Sequence, residues 1–481
     1  MIRRFITGWN IGLLACVLMI TSLVSVPESH GATNHKVEAA KEKRPLYRIE
    51  ARYDEAASKV IGHVSVQLPV WEKNMAEVYF HLYPNAFQHW KWGEETKPRK
   101  PGYLKVENIQ VDQVKADHLV KETLLKVKLP EGGNSNDRVT VSMDYELKLP
   151  KGGSRLNKVG KTAFLAQWYP MLAVYDRDGW HTDPYTATGD PFFSQISDFD
   201  VTFHVPKGYK VITSADDSKG GSDTTVTLRQ TGIRDFAAVL SQDYEVISGK
   251  AGKVRVNLWY QKGMEDVVQP LHEVAVDSMK FFCRHFGSYP YNEVDVVLGE
   301  TGYGIAGMEY PGLVTSVDKI PTRQGMQPAA NVVAHELAHQ WWYGVVGNDQ
   351  VKEPWLDEGL TTFSEMLFMH DKMGADEKEW LVKAAERSEA MHKENGITSV
   401  EPLYKYPDPV YGLMVYTRPA AMLWNLMDEI GKDKVLEILR TYYDQYRFRI
   451  ATTVDFIRVA NEVSGKDLTD FFNHWLYFNE S

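Results

Sequence analysis

"NVVAHELAHQWWYGVVGNDQVKEPWLDEGLTTFSE" (Asn331–Glu365) carries two histidines, His335 and His339, four residues apart. On a helix these lie on one face, one above the other. Glu336 is rotated about a third of a turn to the side. Two readings are open at this point: a metal site with its own base, or two ordinary helix histidines. A structural zinc site is usually closed by four protein ligands, often cysteines, and the chain has two cysteines, Cys16 and Cys283. Eighteen residues separate His339 from Glu358. "GVVGND" breaks the first helix and "WLDEGLTTF" starts the next, so Glu358 can fold back onto the metal. Two histidines and one carboxylate leave a position open for water, the arrangement of a catalytic zinc, one Zn2+ per chain. Glu365 lies two turns further along the same face. It is either a hydrogen-bond partner for a ligand imidazole or a solvated helix carboxylate; spacing leaves both open.

Working outward, apolar residues recur with period two from Tyr47 to about Val256. "RVTVSMDYELKLP" sets Val139, Val141, Met143, Tyr145, Leu147 and Leu149 on one face, and "FDVTFHVP" does the same for Phe199, Val201, Phe203 and Val205. Turn clusters such as "EGGNSND" and "DDSKGGSD" separate such runs. The pattern predicts an antiparallel β region, a sandwich or saddle. Near Gly263 the period changes. "MEDVVQPLHEVAVDSMKFFCRHFG" reads as a helix that stops at Gly287. "EVDVVLGE" and "GLVTSV" read as short strands. Helices are expected over 328–343, 356–373, 418–430, 432–443 and 453–478. The expected fold class is α+β multidomain, with a β domain over 47–256 and a mainly helical domain over 257–481.

The bulk numbers agree with a globular protein of 481 residues: 43% hydrophobic, 25% charged and 12% aromatic. A formal net charge of −10 without a long basic run argues against nucleic acid as a partner. The N-terminus is different. Arg3 and Arg4 precede the apolar run "IGLLACVLMITSLVSV" (Ile11–Val26), and a polar stretch follows. Residues 1–32 read as a signal peptide or an N-terminal membrane anchor, and 33–46 as a linker. Export follows as the expected localisation, with membrane contact only through this segment if it is not cleaved. Cys283, in "MKFFCRHFG", reads as a structural cysteine.

With these residues in place, the chain resembles the aminopeptidase N family of gluzincin zinc metallopeptidases. The similarity is to the short bacterial type without a large helical C-terminal domain. The zinc stretch matches the family's H-E-x-x-H, eighteen residues, then Glu. "AGMEYPG" (Ala306–Gly312) stands where the family has G-x-M-E-N, and "VYTRPAAMLWNLMDEIG" resembles the segment with the family's catalytic tyrosine. "TTVDFIRVANEVSGKDLTDFFNHWLY" resembles its closing helices, and "EVYFHLYPNAF" with "AQWYPMLAVYD" its N-terminal β domain.

The resemblance implies a thermolysin-like zincin catalytic domain and hydrolysis of peptides with a free N-terminus. It implies His335, His339 and Glu358 as zinc ligands and Glu336 as general base. Tyr416 would stabilise the transition state, with Tyr411 as the fallback. Glu309, with Gly307 and Met308 beside it, would anchor the substrate's α-amine. Gln167 would be a second contact to that amine. Three positions depart from the pattern: Ala306 for the first Gly, Tyr310 for the Asn, and Pro419 for a Gly after the tyrosine. Two other functions stay open. One is an open-cleft zinc endopeptidase, and the other is a non-catalytic peptide-binding protein on a zincin fold.

Overall fold

The computed structural model describes residues 44–479 except 73–74, 95, 131–136, 217–222, 300–305 and 318–326. All belong to one compact unit, residues 43–481. The expected signal or anchor over 1–32 and most of the expected linker lie outside the described residues. Leu46 already begins the first strand.

The β region is built on seven strands: β1 (Leu46–Asp54), β2 (Lys59–Pro69), β3 (Tyr103–Val111), β4 (Val114–Lys115), β5 (Arg138–Lys148), β6 (Ser197–His204) and β7 (Thr225–Ile233). They form one sheet in the order β7-β6-β1-β2-β5-β3-β4. β1 and β6 pair in parallel, so the expectation of a wholly antiparallel region fails at that one junction. β2 and β5 pair antiparallel with Val64 opposite Met143 and Val66 opposite Val141. Alternation does what the sequence pattern predicts. Val139, Val141, Met143, Tyr145 and Leu147 are all buried, as are Phe199, Val201 and Phe203. Trp168 and Tyr169 fill the space beneath, with Trp168 packed at 5.4 Å from Phe203 and Tyr169 at 5.9 Å from Phe199.

A second sheet follows: β8 (Tyr244–Ala251), β9 (Val254–Gln261), β10 (Glu293–Leu298) and β11 (Leu313–Ser316), in that order. Its last two pairings are parallel. The expected domain boundary at 256/257 therefore falls inside β9. β9 is one continuous strand across the expected boundary, and it belongs to the second sheet throughout.

Helix α1 (Glu265–His285) packs on β8 and β9 and against α2 (Gln327–Ala338). Cys283 on α1 is partly buried, and burial raises its thiol pKa, as a structural cysteine requires. α3 (Trp355–Phe368) packs on α2 and is extended by a π-helical turn, Met369–Met373. α4 (Lys378–Asn395) has no counterpart in the sequence reading. Leu381, Ala384 and Ser388 are its buried residues, too few to show as an apolar stripe. α5 (Arg418–Ile430) and α6 (Lys432–Tyr446) are close to expectation. The single helix expected over 453–478 is broken at Gly465 (φ 68°) into α7 (Thr453–Ser464) and α8 (Thr469–Tyr477). A Thr452–Asp455 capping box starts α7. Among the described residues no helix is long and apolar enough to cross a membrane.

Candidate active site

α2 ends at Ala338, short of the expected Tyr343, and the chain turns sharply until Tyr343 at φ 117°. His335 and His339 still share one face. α3 begins at Trp355 and brings Glu358 in its first turn, where the helix N-terminus favours a carboxylate. One nitrogen each from His335 and His339 and one oxygen of Glu358 lie within 4.8 Å of one another. Glu358 Oε2 is 3.3 Å from His335 Nε2 and 3.2 Å from His339 Nε2. Two imidazole nitrogens and one carboxylate oxygen converging on a point suit Zn2+, which accepts N and O donors and in catalytic sites takes three protein ligands. Burial opposes charge on Glu358, but the two imidazoles outweigh it and hold its carboxyl well below the usual range.

The opposite ring nitrogens are also held. His339 Nδ1 faces the Trp342 carbonyl at 2.9 Å and the Thr361 hydroxyl at 3.0 Å. His335 Nδ1 faces Glu365 Oε2 at 3.2 Å, and Glu365 Oε1 accepts from Asn331 at 2.7 Å. The choice left open for Glu365 is thus decided by geometry. Such partners fix ring orientation and usually weaken metal affinity 10–100-fold when lost. We expect Glu365→Leu to weaken zinc binding by about that factor, measured by competition with a chromogenic chelator.

A polar network that sequence reading missed places Glu358. Asp357 accepts from Asn348 at 3.0 Å and Gln350 at 2.7 Å, locking the "GNDQ" loop onto the start of α3. Gly359 touches Pro419, where an added Cβ would meet the ring carbon at 2.5 Å. Pro419 therefore both occupies the first turn of α5 and packs against the residue after the ligand.

Glu336 is buried beside the Gly307 backbone, where an added Cβ would collide with its carboxylate. The glycine that the fold needs here is Gly307, and Ala306 before it is exposed. Met308 pairs with Thr315 of β11 through two backbone hydrogen bonds of 3.1 and 2.9 Å. Gln340 then clamps the next residues. Its Nε2 donates to the carbonyls of Glu309 (3.3 Å) and Tyr310 (3.1 Å), and its Oε1 accepts from Tyr289 and Gly312. Nothing in the motif reading pointed to Gln340.

Glu309 is 4% exposed and its carboxylate meets no donor among the described residues. One of its oxygens lies within 4.8 Å of ligand atoms of Glu336 and His339. Burial, then Asp190, Glu358 and Glu336, push its pKa well above the usual range.

Tyr416 sits in a π-helical turn, Gly412–Thr417, of a kind frequent at functional sites. Its hydroxyl donates to Glu358 Oε1 at 2.6 Å and its ring stacks on His335 at 5.9 Å. Tyr411 is packed edge-on to Tyr416 at 5.5 Å, with its hydroxyl over Gly189. Both tyrosines line the cleft; Tyr416 is the one bonded to a ligand residue. Gln167 departs from expectation. It does not line the cleft, and its amide turns to Asp235 at 3.4 Å from a backbone at φ 46°. The cleft measures about 820 Å³ and is walled from the β region by Trp90, Arg155, Tyr185 and Asp190, none of which the sequence had singled out.

Residues 271–475 match the peptidase family M1 domain. "Aminopeptidase 2" of Candida albicans is 24% identical over 274 residues, covering 54% of this chain and 29% of that protein. "Aminopeptidase N" of Lactococcus lactis is 26% identical over 222 residues, 42% of this chain and 26% of that protein. The chain thus spans under a third of the length of these curated relatives. An M1 zinc metallopeptidase from Deinococcus radiodurans, in a mutant form bound to Tyr-Ser-Ala, has the same fold. The TM-score is 0.67 at 15% identity, covering 92% of this chain and 96% of that one.

Proposed function

We propose that this chain, whose residues 271–475 are a peptidase family M1 domain, is a zinc aminopeptidase that removes N-terminal residues from peptides. The observation that carries the reading is the buried Glu309 carboxylate, without a donor among the described residues, beside a complete His335–His339–Glu358 ligand set. The named relatives support it, as does the peptide bound to the Deinococcus protein.

When bound, zinc supplies Lewis acidity, making water a nucleophile near neutral pH and polarising a carbonyl. Glu309 receives the substrate ammonium and so fixes which peptide bond reaches the nucleophile. Glu336 takes the proton as the carbonyl is attacked and returns it to the leaving amine. Tyr416 leaves Glu358 and donates its hydroxyl to the developing oxyanion. His335, His339 and Glu358 hold the metal. Gly307 and Met308 shape the wall beneath the first residue.

The apolar run Ile11–Val26 after Arg3 and Arg4 supports export of the protein. The proposed place of action is outside the cytoplasm, on small peptides.

The test is hydrolysis of a panel of aminoacyl amides before and after chelation. The expected result is turnover abolished by chelator and restored by one equivalent of Zn2+. Turnover unaffected by metal removal, or absent across the panel, would count against the reading.

A further inference from the structure

Away from the cleft, one buried histidine joins the β region to the loop before α3. His181 follows the short hairpin Tyr175–Trp180 and is 8% exposed. Its Nε2 lies 2.8 Å from Asp176 Oδ2 on that hairpin. Its Nδ1 faces two groups of the "GNDQVK" loop (Gly347–Lys352): Lys352 Nζ at 3.1 Å and Asp349 Oδ2 at 3.2 Å.

One ring nitrogen cannot serve both. Without a proton, Nδ1 accepts from Lys352, and Asp349 Oδ2 is then a buried acceptor with no hydrogen bond among the described residues. With a proton, Nδ1 donates to Asp349. Lys352, half exposed, still has Asp349 at 3.5 Å and Asp183 at 3.9 Å. A buried acceptor without a donor is costly, and a charged donor makes the stronger bond. The other titratable groups around the ring do not change charge with it. His81 presents Nε2 to the His181 carbonyl at 3.2 Å, and burial pushes its pKa down to about 4. Burial holds the Tyr83 hydroxyl, whose ring stacks on His81, well above its usual range. Arg177 and Asp178 in the hairpin turn pair with each other. Asp349 raises the pKa of His181 above the ordinary value; burial and Lys352 oppose this, and Asp176 adds to it.

Asp349 sits between the two side chains that hold the start of α3. Asn348 and Gln350 donate to Asp357, the residue before Glu358. Asp349 Oδ1 also accepts from the backbone N–H of Val351 at 3.1 Å and of Lys352 at 3.2 Å. A ring that grips Asp349 therefore grips the whole turn.

We propose that His181 is a proton-dependent positioning residue for the metal site: protonated, it clamps Asp349 and with it the loop that places Glu358. It touches neither metal nor substrate. The proposal rests on the zinc-site reading. The clamp is complete below the ordinary histidine pKa of about 6.5 and is lost as pH rises through the raised value of His181.

The test is the zinc affinity of the full chain, by competition with a chromogenic chelator from about pH 5.5 to about pH 8.5. Zinc binding itself tightens with pH as the ligand histidines lose their protons, so wild type and His181→Gln are compared at each pH. Glutamine keeps polar contacts but does not titrate. At the acid end the variant is expected to bind zinc about tenfold more weakly, the low end for a partner outside the ligand set. At the alkaline end the two should converge. A ratio that stays constant with pH overturns the proposal, because that is the mark of a structural role. If His181→Gln does not fold, Lys352→Met serves instead. It removes the competing donor, so the clamp should persist to higher pH and zinc should bind more tightly than in wild type at the alkaline end alone. Wild-type affinity across the whole series in that variant also overturns the proposal. A wild type that takes no zinc from the chelator at any pH would sink the zinc-site reading itself.

Discussion

Glu336→Gln is expected to lower kcat by about 10²–10⁴ while zinc content stays at one per chain. Glutamine keeps the shape and still fits against Gly307, but it cannot accept a proton. Glu336 follows ligand His335 but is not one of the His335–His339–Glu358 set, so the metal should be retained. Burial, reinforced by Glu358 and Asp190, raises the affinity of Glu336 for a proton, and His335 opposes this. A raised pKa makes the carboxylate a stronger base and also one more easily silenced by acid. In wild type, kcat/KM should therefore fall as pH is lowered and Glu336 becomes protonated. The residual activity of the glutamine variant should lack that limb. Metal analysis together with a pH series checks both points. Near-normal kcat with full zinc would remove Glu336 from the proton transfer.

Tyr416→Phe is the second large effect, with kcat down by about 10²–10³ and zinc content unchanged. The hydroxyl bonds to Glu358 at 2.6 Å, at the edge of the ligand set. Burial and the neighbouring carboxylates raise its pKa well above the ordinary value, so it remains a donor over the working pH range. The phenyl ring of the variant keeps the stacking on His335, which confines the change to one donor. KM should move little, since the donor acts on charge that develops in the transition state. Tyr411→Phe should change kcat far less, because the Tyr411 hydroxyl faces the Gly189 backbone. A larger loss in Tyr411→Phe than in Tyr416→Phe would exchange their roles.

The legible parts of the sequence were those with a period or a fixed spacing. Alternation exposed β5 and β6, and the four-residue spacing of His335 and His339 needed only helical geometry. Glu358 was legible because a turn signal and a helix start lay between it and His339. Arg155 and Asp190 were hidden because they lie 35 residues apart and far from the zinc helix, with no local pattern. Gln340 and Asp357 looked like ordinary polar helix residues, and their partners come from other segments. Gln167 matched by local sequence but was misplaced, because its conformation depends on the buried Asp235. The expected boundary at 256/257 fell inside β9 because Val254–Gln261 is one continuous strand.

The most direct test of amine-directed cleavage compares leucine p-nitroanilide with its N-acetyl form on the zinc-loaded protein. Glu309 anchoring a free ammonium predicts ready hydrolysis of the first and at least about a hundredfold lower kcat/KM for the second, since the acetyl group removes the charge and leaves a buried carboxylate unpaired. Equal cleavage of both would contradict the account and leave an open-cleft endopeptidase in its place.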